Sequence, residues 1–143
     1  MAAQGLADRE PHGDVSDLIA KRFGEGGVET VGPDDTLLTA YNRMRSGDIS
    51  QLPVIEHRKL VGIIDESDIL SAVEGAEEER ADRFARPVRT AMTSHVRTLA
   101  AHAPLSALKP IFDRNEVAVV MDGEELIGLI TRVDLINHLR LTA

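Results

Sequence analysis

The first half of the chain alternates short apolar runs with stretches whose apolar residues recur at helical spacing. Apolar runs at residues 52–55 and 60–64 flank a polar turn, which predicts two strands joined as a hairpin. A β-branched run at residues 28–31 predicts another strand, and helices are predicted over residues 37–46 and 65–73. The side chains that this spacing turns toward a core are Leu37, Leu38, Tyr41, Met44, Ile69, Leu70 and Val73.

The second half of the chain repeats this order of elements. Strands are predicted at residues 96–99, 117–121 and 126–130, and helices at residues 105–113 and 131–141. The strands are short and almost entirely apolar, which is typical of small sheets that are covered by helices.

Matching residues show that the two halves are copies of one unit. Gly62 and Asp68 recur as Gly128 and Asp134, 66 residues later in both cases, and an upstream block matches at an offset of 68. The slip falls between elements, where loops tolerate insertions. Each copy therefore predicts the order β-α-β-β-α. The pair predicts an α+β fold in which the copies pack pseudo-symmetrically.

These copies divide the chain into four parts. Residues 15–74 form the first motif and residues 87–143 the second, with a charged linker at residues 75–86 between them. Residues 1–14 are polar and contain glycine and proline, so we expect a flexible N-terminal linker there.

Composition narrows the classes of function. The chain has 143 residues, of which 43% are hydrophobic and 3% aromatic, so its core must be built from aliphatic side chains. The net charge of −8 disfavours nucleic acid and anionic membrane as partners. The chain has no cysteine, which excludes disulfides and favours a cytoplasmic location.

The sequence contains no catalytic motif. The five histidines are scattered and do not form a pair at helical spacing that could bind a metal. A phosphate-binding P-loop, a dinucleotide-binding glycine fingerprint and a nucleophile elbow are all absent. We therefore expect a protein that is not an enzyme and that carries no metal or cofactor.

The tandem copies resemble the CBS domain family. Residues 128–134 match a Gly-apolar-apolar-Thr-x-x-Asp block that joins the last strand of a CBS domain to its last helix. Gln51-Leu52-Pro53-Val54, Pro87-Val88 and Met92-Thr93 are also similar to that family. Two copies in tandem, over roughly residues 14–141, resemble a Bateman module. The resemblance implies a regulatory module that senses an adenosyl ligand and forms a homodimer.

A narrower resemblance points to cystathionine β-synthase. Residues 128–137 and 117–120, and the opening around residues 11–14, are similar to the C-terminal regulatory region of bacterial members. In those enzymes a pyridoxal-phosphate catalytic domain precedes this region. The resemblance therefore implies the catalytic domain of a parent enzyme as a partner.

The Thr-x-x-Asp pattern at a strand-to-helix junction has two physical interpretations. The first-turn amides of a helix attract electron-rich groups, Thr131 offers a hydroxyl, and Asp134 can accept both hydroxyls of a ribose. Alternatively, Thr131 caps the helix and Asp134 favours its positive end. Together with the family resemblance, binding is the preferred interpretation.

The resemblance also places ligand sites on particular residues of both copies. The implied site consists of Thr131, Val133, Asp134, Val28, Thr30, Ile49, Gln51 and Leu52. A mirror site is expected to be weaker, because an aspartate replaces the threonine, and an acidic helix cap without a ligand is the preferred interpretation there. The mirror site consists of Asp65, Asp68, Thr98, Glu116, Val117 and Ala118.

Charge bears on the identity of the ligand. The acidic surroundings favour S-adenosylmethionine, whose sulfonium is cationic, over AMP or ATP, whose phosphates require nearby cations. AMP or ATP, bound by a stand-alone CBS pair, is the alternative. A further hypothesis is a dimerisation or autoinhibitory module whose sites are empty.

Overall fold

The computed structural model describes residues 13–19, 28–75 and 77–143. These residues fall into two compact units. The repeat-one unit spans residues 29–96, and the repeat-two unit combines residues 97–143 with the N-terminal residues through Val28. Each unit has its own small sheet and its own helices, which confirms the predicted α+β fold class.

The repeat-one unit is a hairpin covered by helices. Its elements are α1 (Leu37–Gly47), β1 (Gln51–Glu56), β2 (Lys59–Asp65), α2 (Glu66–Val73) and α3 (Arg80–Phe84). β1 and β2 are antiparallel, and Leu52 pairs with Ile64. The hairpin turn places His57 and Arg58 in the left-handed region, with φ of 51° and 66°.

Local chemistry sets the ends of α1. The hydroxyl oxygen of Thr36 accepts the N–H of Thr39 at 3.1 Å, which satisfies one of the free donors of the first turn. At the other end Asp48 adopts a left-handed conformation, with φ of 52°, and its N–H donates back to the helix. Leu37, fully buried, is the first residue of the helix and points into the core.

The opening residues of the second sequence copy pack on the repeat-one unit. Val88 is fully buried in the core of this unit. Thr93 exchanges two backbone hydrogen bonds with Ile63 of β2, at 2.9 and 2.8 Å. Gly62 permits this approach, because a Cβ there would lie 2.7 Å from the carbonyl oxygen of Thr93 and 2.9 Å from the sulfur of Met92.

The repeat-two unit is built on a three-stranded sheet in the order β3-β4-β5. Its elements are β3 (Thr98–Ala100), α4 (Leu108–Phe112), β4 (Ala118–Asp122), β5 (Glu125–Ile130) and α5 (Arg132–Leu141). β3 is parallel to β4, and β4 is antiparallel to β5. The helix predicted at residues 105–113 is a 3₁₀ turn followed by the short α4, in which Pro110 offers no N–H to the helix.

The described N-terminal residues 13–19 pack on the repeat-two unit. The N–H of Val15 donates to the carbonyl of Ala103 at 3.0 Å, and that of Ser16 to the carbonyl of Ala101 at 3.2 Å. Val15 is fully buried. Each spatial unit therefore combines most of one sequence copy with the opening residues of the other copy.

The prediction of a strand at residues 28–31 is wrong. Val31 makes an isolated parallel bridge with Val54 instead. The chain leaves the sheet directly afterwards, because the N–H of Gly32 donates to the Asp35 carboxylate at 2.7 Å and closes a turn. A single bridge is too short to extend into a strand.

The inward faces of the first two helices are narrower than predicted. Leu38, Tyr41 and Leu70 are 48%, 39% and 60% exposed. Ile69 and Val73 are buried as predicted. A two-stranded sheet offers little surface, so each helix buries one stripe of side chains and leaves the neighbouring apolar residues exposed.

Candidate functional site

The junction between β5 and α5 brings Thr131 and Asp134 together. Thr131 is extended, with φ of −107° and ψ of 170°, and lies at the N-cap of α5. Its N–H donates to Oδ2 of Asp134 at 2.8 Å, and its hydroxyl donates to the same oxygen at 3.1 Å. Helix capping therefore accounts for this one carboxylate oxygen.

The second carboxylate oxygen of Asp134 is differently placed. Within the described part of the chain, Oδ1 has no hydrogen-bond partner, and the side chain is half-buried. A carboxylate with one oxygen fixed by its helix and the other open is a rigid acceptor. It can take a hydroxyl donor without first breaking a bond to the protein.

Arg132, which directly follows Thr131, makes its hydrogen bonds to residues outside the Thr131–Asp134 pair. Its guanidinium Nη2 donates to the carbonyl oxygen of Phe112 and, at 2.7 Å, to Oδ1 of Asn115. Asn115 is left-handed, with φ of 60°, so this arginine ties the start of α5 to a tight turn. The Arg132 guanidinium thus stabilises the fold through these hydrogen bonds rather than being placed to bind a phosphate.

The remaining residues of the first predicted site vary in exposure. Val133 is 71% exposed, whereas Leu52 is fully buried, so Leu52 could offer a ligand little beyond its backbone. The carbonyl of Thr30 already accepts a hydrogen bond from Arg43 at 2.8 Å. Gln51 begins β1, and its side chain accepts the hydroxyl of Ser50. Val28 and Ile49 are half-buried.

Those residues belong to both spatial units. Thr131, Val133, Asp134 and Val28 lie in the repeat-two unit. Thr30, Ile49, Gln51 and Leu52 lie in the repeat-one unit. Within a single unit, the structure brings together Thr131 and Asp134 by direct hydrogen bonds. The predicted composition of the complete site stays a prediction.

Ile49 also lines an apolar cavity inside the repeat-one unit. The cavity has a volume of about 430 Å³ and lies among α1, α2 and α3. Tyr41 and Phe84 meet edge to face across it, with their ring centroids 6.3 Å apart. Phe84 is half-buried and comes from the segment expected to be a charged linker, where a lone aromatic among charged residues gives no periodic signal.

The mirror junction, between β2 and α2, has the same geometry with different chemistry. Asp65 caps α2: its Oδ1 accepts the N–H of Asp68 at 2.8 Å, and Oδ2 of Asp68 accepts the N–H of Asp65 at 3.0 Å. The hydroxyl of Ser67 also donates to Oδ1 of Asp65, at 2.7 Å. Each of the two carboxylates thus accepts the backbone N–H of the other residue.

This pairing affects the acidity of Asp68. Burial raises the pKa of the Asp68 carboxyl above its ordinary value of 3.8. The hydrogen bond from the backbone of Asp65 opposes that rise, and the negative charge of Asp65 adds to it. A further anion is therefore disfavoured at this junction.

The predicted partners of the mirror site lie in the repeat-two unit. Thr98 begins β3 and is exposed, and Ala118 begins β4 and is fully buried. Glu116 lies 3.8 Å from the guanidinium of Arg97. Val117 is half-buried. These positions leave the mirror site a prediction as well.

Sequence reasoning missed a buried aspartate that pairs with an exposed histidine in the repeat-two unit. Asp14 was expected in a flexible linker, yet its side chain is fully buried, and its Oδ2 lies 2.7 Å from Nδ1 of His102. Its Oδ1 accepts the N–H and the hydroxyl of Ser16. The two partners are 88 residues apart, and no local pattern connects them.

Two other classes of site are absent from residues 13–19, 28–75 and 77–143. That part of the chain contains no group of three or more histidine, aspartate or glutamate side chains placed to hold a metal ion. None of its helices has the length and apolar character that crossing a bilayer requires.

Comparison with known proteins matches both copies to one family. The profile of the CBS domain matches residues 15–75 and 88–141. The inosine-5'-monophosphate dehydrogenase of Korarchaeum cryptofilum is 34% identical over 111 residues, which is 76% of this chain. The chain spans about a fifth of the length of that relative, 21%.

Solved structures share the fold. The CBS-domain-containing protein ATU1752 of Agrobacterium tumefaciens is 26% identical, with a TM-score of 0.72 over 87% of this chain and 97% of that one. CBSX2, a CBS-pair protein of Arabidopsis thaliana, has been solved in complex with AMP. That complex is 20% identical, with a TM-score of 0.75 over 91% of this chain and 98% of its own.

Proposed function

Because this chain belongs to the CBS domain family and carries two tandem copies, we propose that it is a regulatory module whose β5–α5 junction binds an adenosyl ligand. One observation carries the proposal. Asp134 is fixed by Thr131 through Oδ2 and keeps Oδ1 open beside the positive end of α5. A ribose, which presents two adjacent hydroxyl donors, matches such an acceptor.

AMP is the first ligand to test. The AMP complex of the CBS pair CBSX2 supports an adenine nucleotide. The sequence argument for S-adenosylmethionine rests on charge, and the commitment of Arg132 to Phe112 and Asn115 agrees with a ligand that does not need this arginine. AMP, ATP and S-adenosylmethionine should therefore be compared directly.

A parent catalytic domain is a separate proposal with weaker support. The resemblance of residues 128–137 to cystathionine β-synthase is confined to short segments. The relatives reported above include an inosine-5'-monophosphate dehydrogenase and CBS-pair chains. Regulation of some attached or associated enzyme is thus favoured over regulation of that particular enzyme.

Calorimetry on Asp134→Ala tests the ligand site. Loss of a hydrogen bond to a charged acceptor costs about 1.5–3 kcal/mol, so the dissociation constant should rise roughly 10- to 150-fold. Thr36→Ala is the matched control, since it removes the capping hydroxyl of α1, which lies outside both predicted sites.

The two variants separate binding from folding. Both should lower the midpoint of thermal unfolding, because both remove a helix cap. Only Asp134→Ala should weaken the binding of the ligand. Equal affinities in the two variants, or the absence of any heat with the three ligands in folded protein, would contradict the proposal.

A homodimer is the second proposal, and exposed apolar side chains favour it. Val133, Ile136 and Leu139 of α5 are 71%, 65% and 51% exposed, and they lie along one side of that helix. Ile136→Glu should shift the protein from dimer to monomer in light scattering, whereas Asn137→Glu on the same helix should not. A wild-type monomer at micromolar concentration would contradict this proposal.

A further inference from the structure

The docked segment, residues 13–19, belongs to the core of the repeat-two unit. Val15 and Leu18 are buried in one cluster with Ile130, the last residue of β5. Val15 is anchored through its N–H to Ala103, in addition to its packing. The segment is thus a structural part of the copy that contains the β5–α5 junction.

The same segment contacts the helix that carries the candidate ligand residues. α5 begins directly after Thr131 and packs on the turn Val15–Leu18. Leu135, one turn into α5, packs against the cluster that holds Val15 and Leu18. A change in the position of α5 would therefore alter the surface on which the segment rests.

A buried charge makes the docking sensitive to small displacements. Asp14 is fully buried, and the groups that hold its carboxylate include Ser16 and the exposed His102. Each such partner that moves away removes a hydrogen bond from a carboxylate that water cannot reach, which is costly. The Asp14–His102 pair, at 2.7 Å, joins this segment to the loop after β3.

We propose that the docked segment is the output of the second copy: a ligand at the β5–α5 junction strengthens its docking through α5, and the chain N-terminal to it receives the signal. This inference rests on the proposed adenosyl site. A ligand produces such an effect only if it binds the docked state more tightly than the undocked one.

Amide hydrogen exchange on the full chain measures the docking. The N–H groups of Val15 and Ser16 are bonded to Ala103 and Ala101, so their exchange reports opening of the segment. With AMP or S-adenosylmethionine at about 100 times its dissociation constant, full coupling slows this exchange by roughly 100-fold. Val119, in the middle of the sheet, reports global unfolding for comparison.

Reciprocity supplies the second measurement. His102→Ala removes one partner of Asp14, so it should speed exchange at Val15 and weaken binding of the ligand about fivefold or more. His95→Ala changes an exposed histidine of the repeat-one unit and should change neither quantity.

The outcomes distinguish this inference from the function on which it rests. Heat of binding with slowed exchange at Val15 and Ser16 beyond that at Val119, and weaker binding by His102→Ala, supports it. Heat of binding with exchange unchanged, or slowed only as much as at Val119, overturns the inference and leaves the ligand site intact. No heat with AMP, ATP or S-adenosylmethionine overturns both.

Discussion

Replacing Gly62 by alanine should push Thr93, in the opening segment of the second sequence copy, away from β2. The new methyl group would lie 2.7 Å from the carbonyl oxygen of Thr93 and 2.9 Å from the sulfur of Met92. The methionine side chain can rotate away, but the carbonyl belongs to the backbone. The segment must therefore move away from β2.

The magnitude follows from the contacts that this movement breaks. Ile63 and Thr93 exchange two backbone hydrogen bonds, at 2.9 and 2.8 Å. Each contributes about 0.5–1.5 kcal/mol net, so their loss costs about 1–3 kcal/mol of unfolding free energy. For a chain of this size that corresponds to a fall of roughly 2–12 °C in the unfolding midpoint.

Gly47→Ala is the matched control for this substitution. A Cβ at Gly47, the last residue of α1, would meet the side chain of Ile49 at an ordinary 3.5 Å. Alanine is the better helix former by up to about 1 kcal/mol, so this variant should be as stable as the wild type or more stable.

Urea denaturation followed by circular dichroism, with thermal unfolding as a second probe, measures both variants. The two substitutions add the same methyl group, but only Gly62→Ala should lose stability. If Gly62→Ala unfolds at the wild-type midpoint, the close approach of Thr93 to β2 does not exist in solution and the reasoning fails.

Three further predictions concern individual side chains. Leu37→Ala removes a fully buried side chain and should cost about 2–5 kcal/mol in urea denaturation; a cost below about 1 kcal/mol would show that the site is not in the core. Arg58→Gly relieves a left-handed residue with φ of 66° and should raise the unfolding free energy by about 1 kcal/mol, whereas a loss would contradict the turn geometry. Because the pKa of Asp68 is raised in the folded state, its contribution to stability falls as the pH rises above 3.8. The unfolding free energy of Asp68→Asn, relative to that of the wild type, should therefore be higher at about pH 6 than at about pH 3.5 in urea denaturation. The same relative value at both pH values would exclude the raised pKa.

The sequence predicts the elements that carry strong local signals. The apolar runs around Leu52 and Leu126 became β1 and β5, and the Thr-x-x-Asp block predicted the start of α5. The prediction of a capping or binding role for Asp134 also depended on residues three positions apart. Such features are fixed by residues close together in the chain, and their pattern is therefore visible in the sequence.

Features that depend on distant residues were not predictable. Asp14 pairs with His102, and the half-buried Phe84 packs against Tyr41. The residues of each pair share no periodicity in the sequence. The exposure of Leu70 likewise depends on how little of α2 a two-stranded sheet can cover. Helical spacing locates an apolar stripe, but the width of the stripe that is buried is a property of the packed unit.

The exchange of segments between copies bears on how this chain can be divided. A fragment that ends at residue 86 would lack Val88, which fills the core of the first copy, and a fragment that begins at residue 87 would lack Val15, which fills the core of the second. Cutting the chain between the two sequence copies therefore leaves two halves, each with an incomplete core. The smallest part with a whole core is residues 29–96, whose ends fall inside both repeats rather than between them.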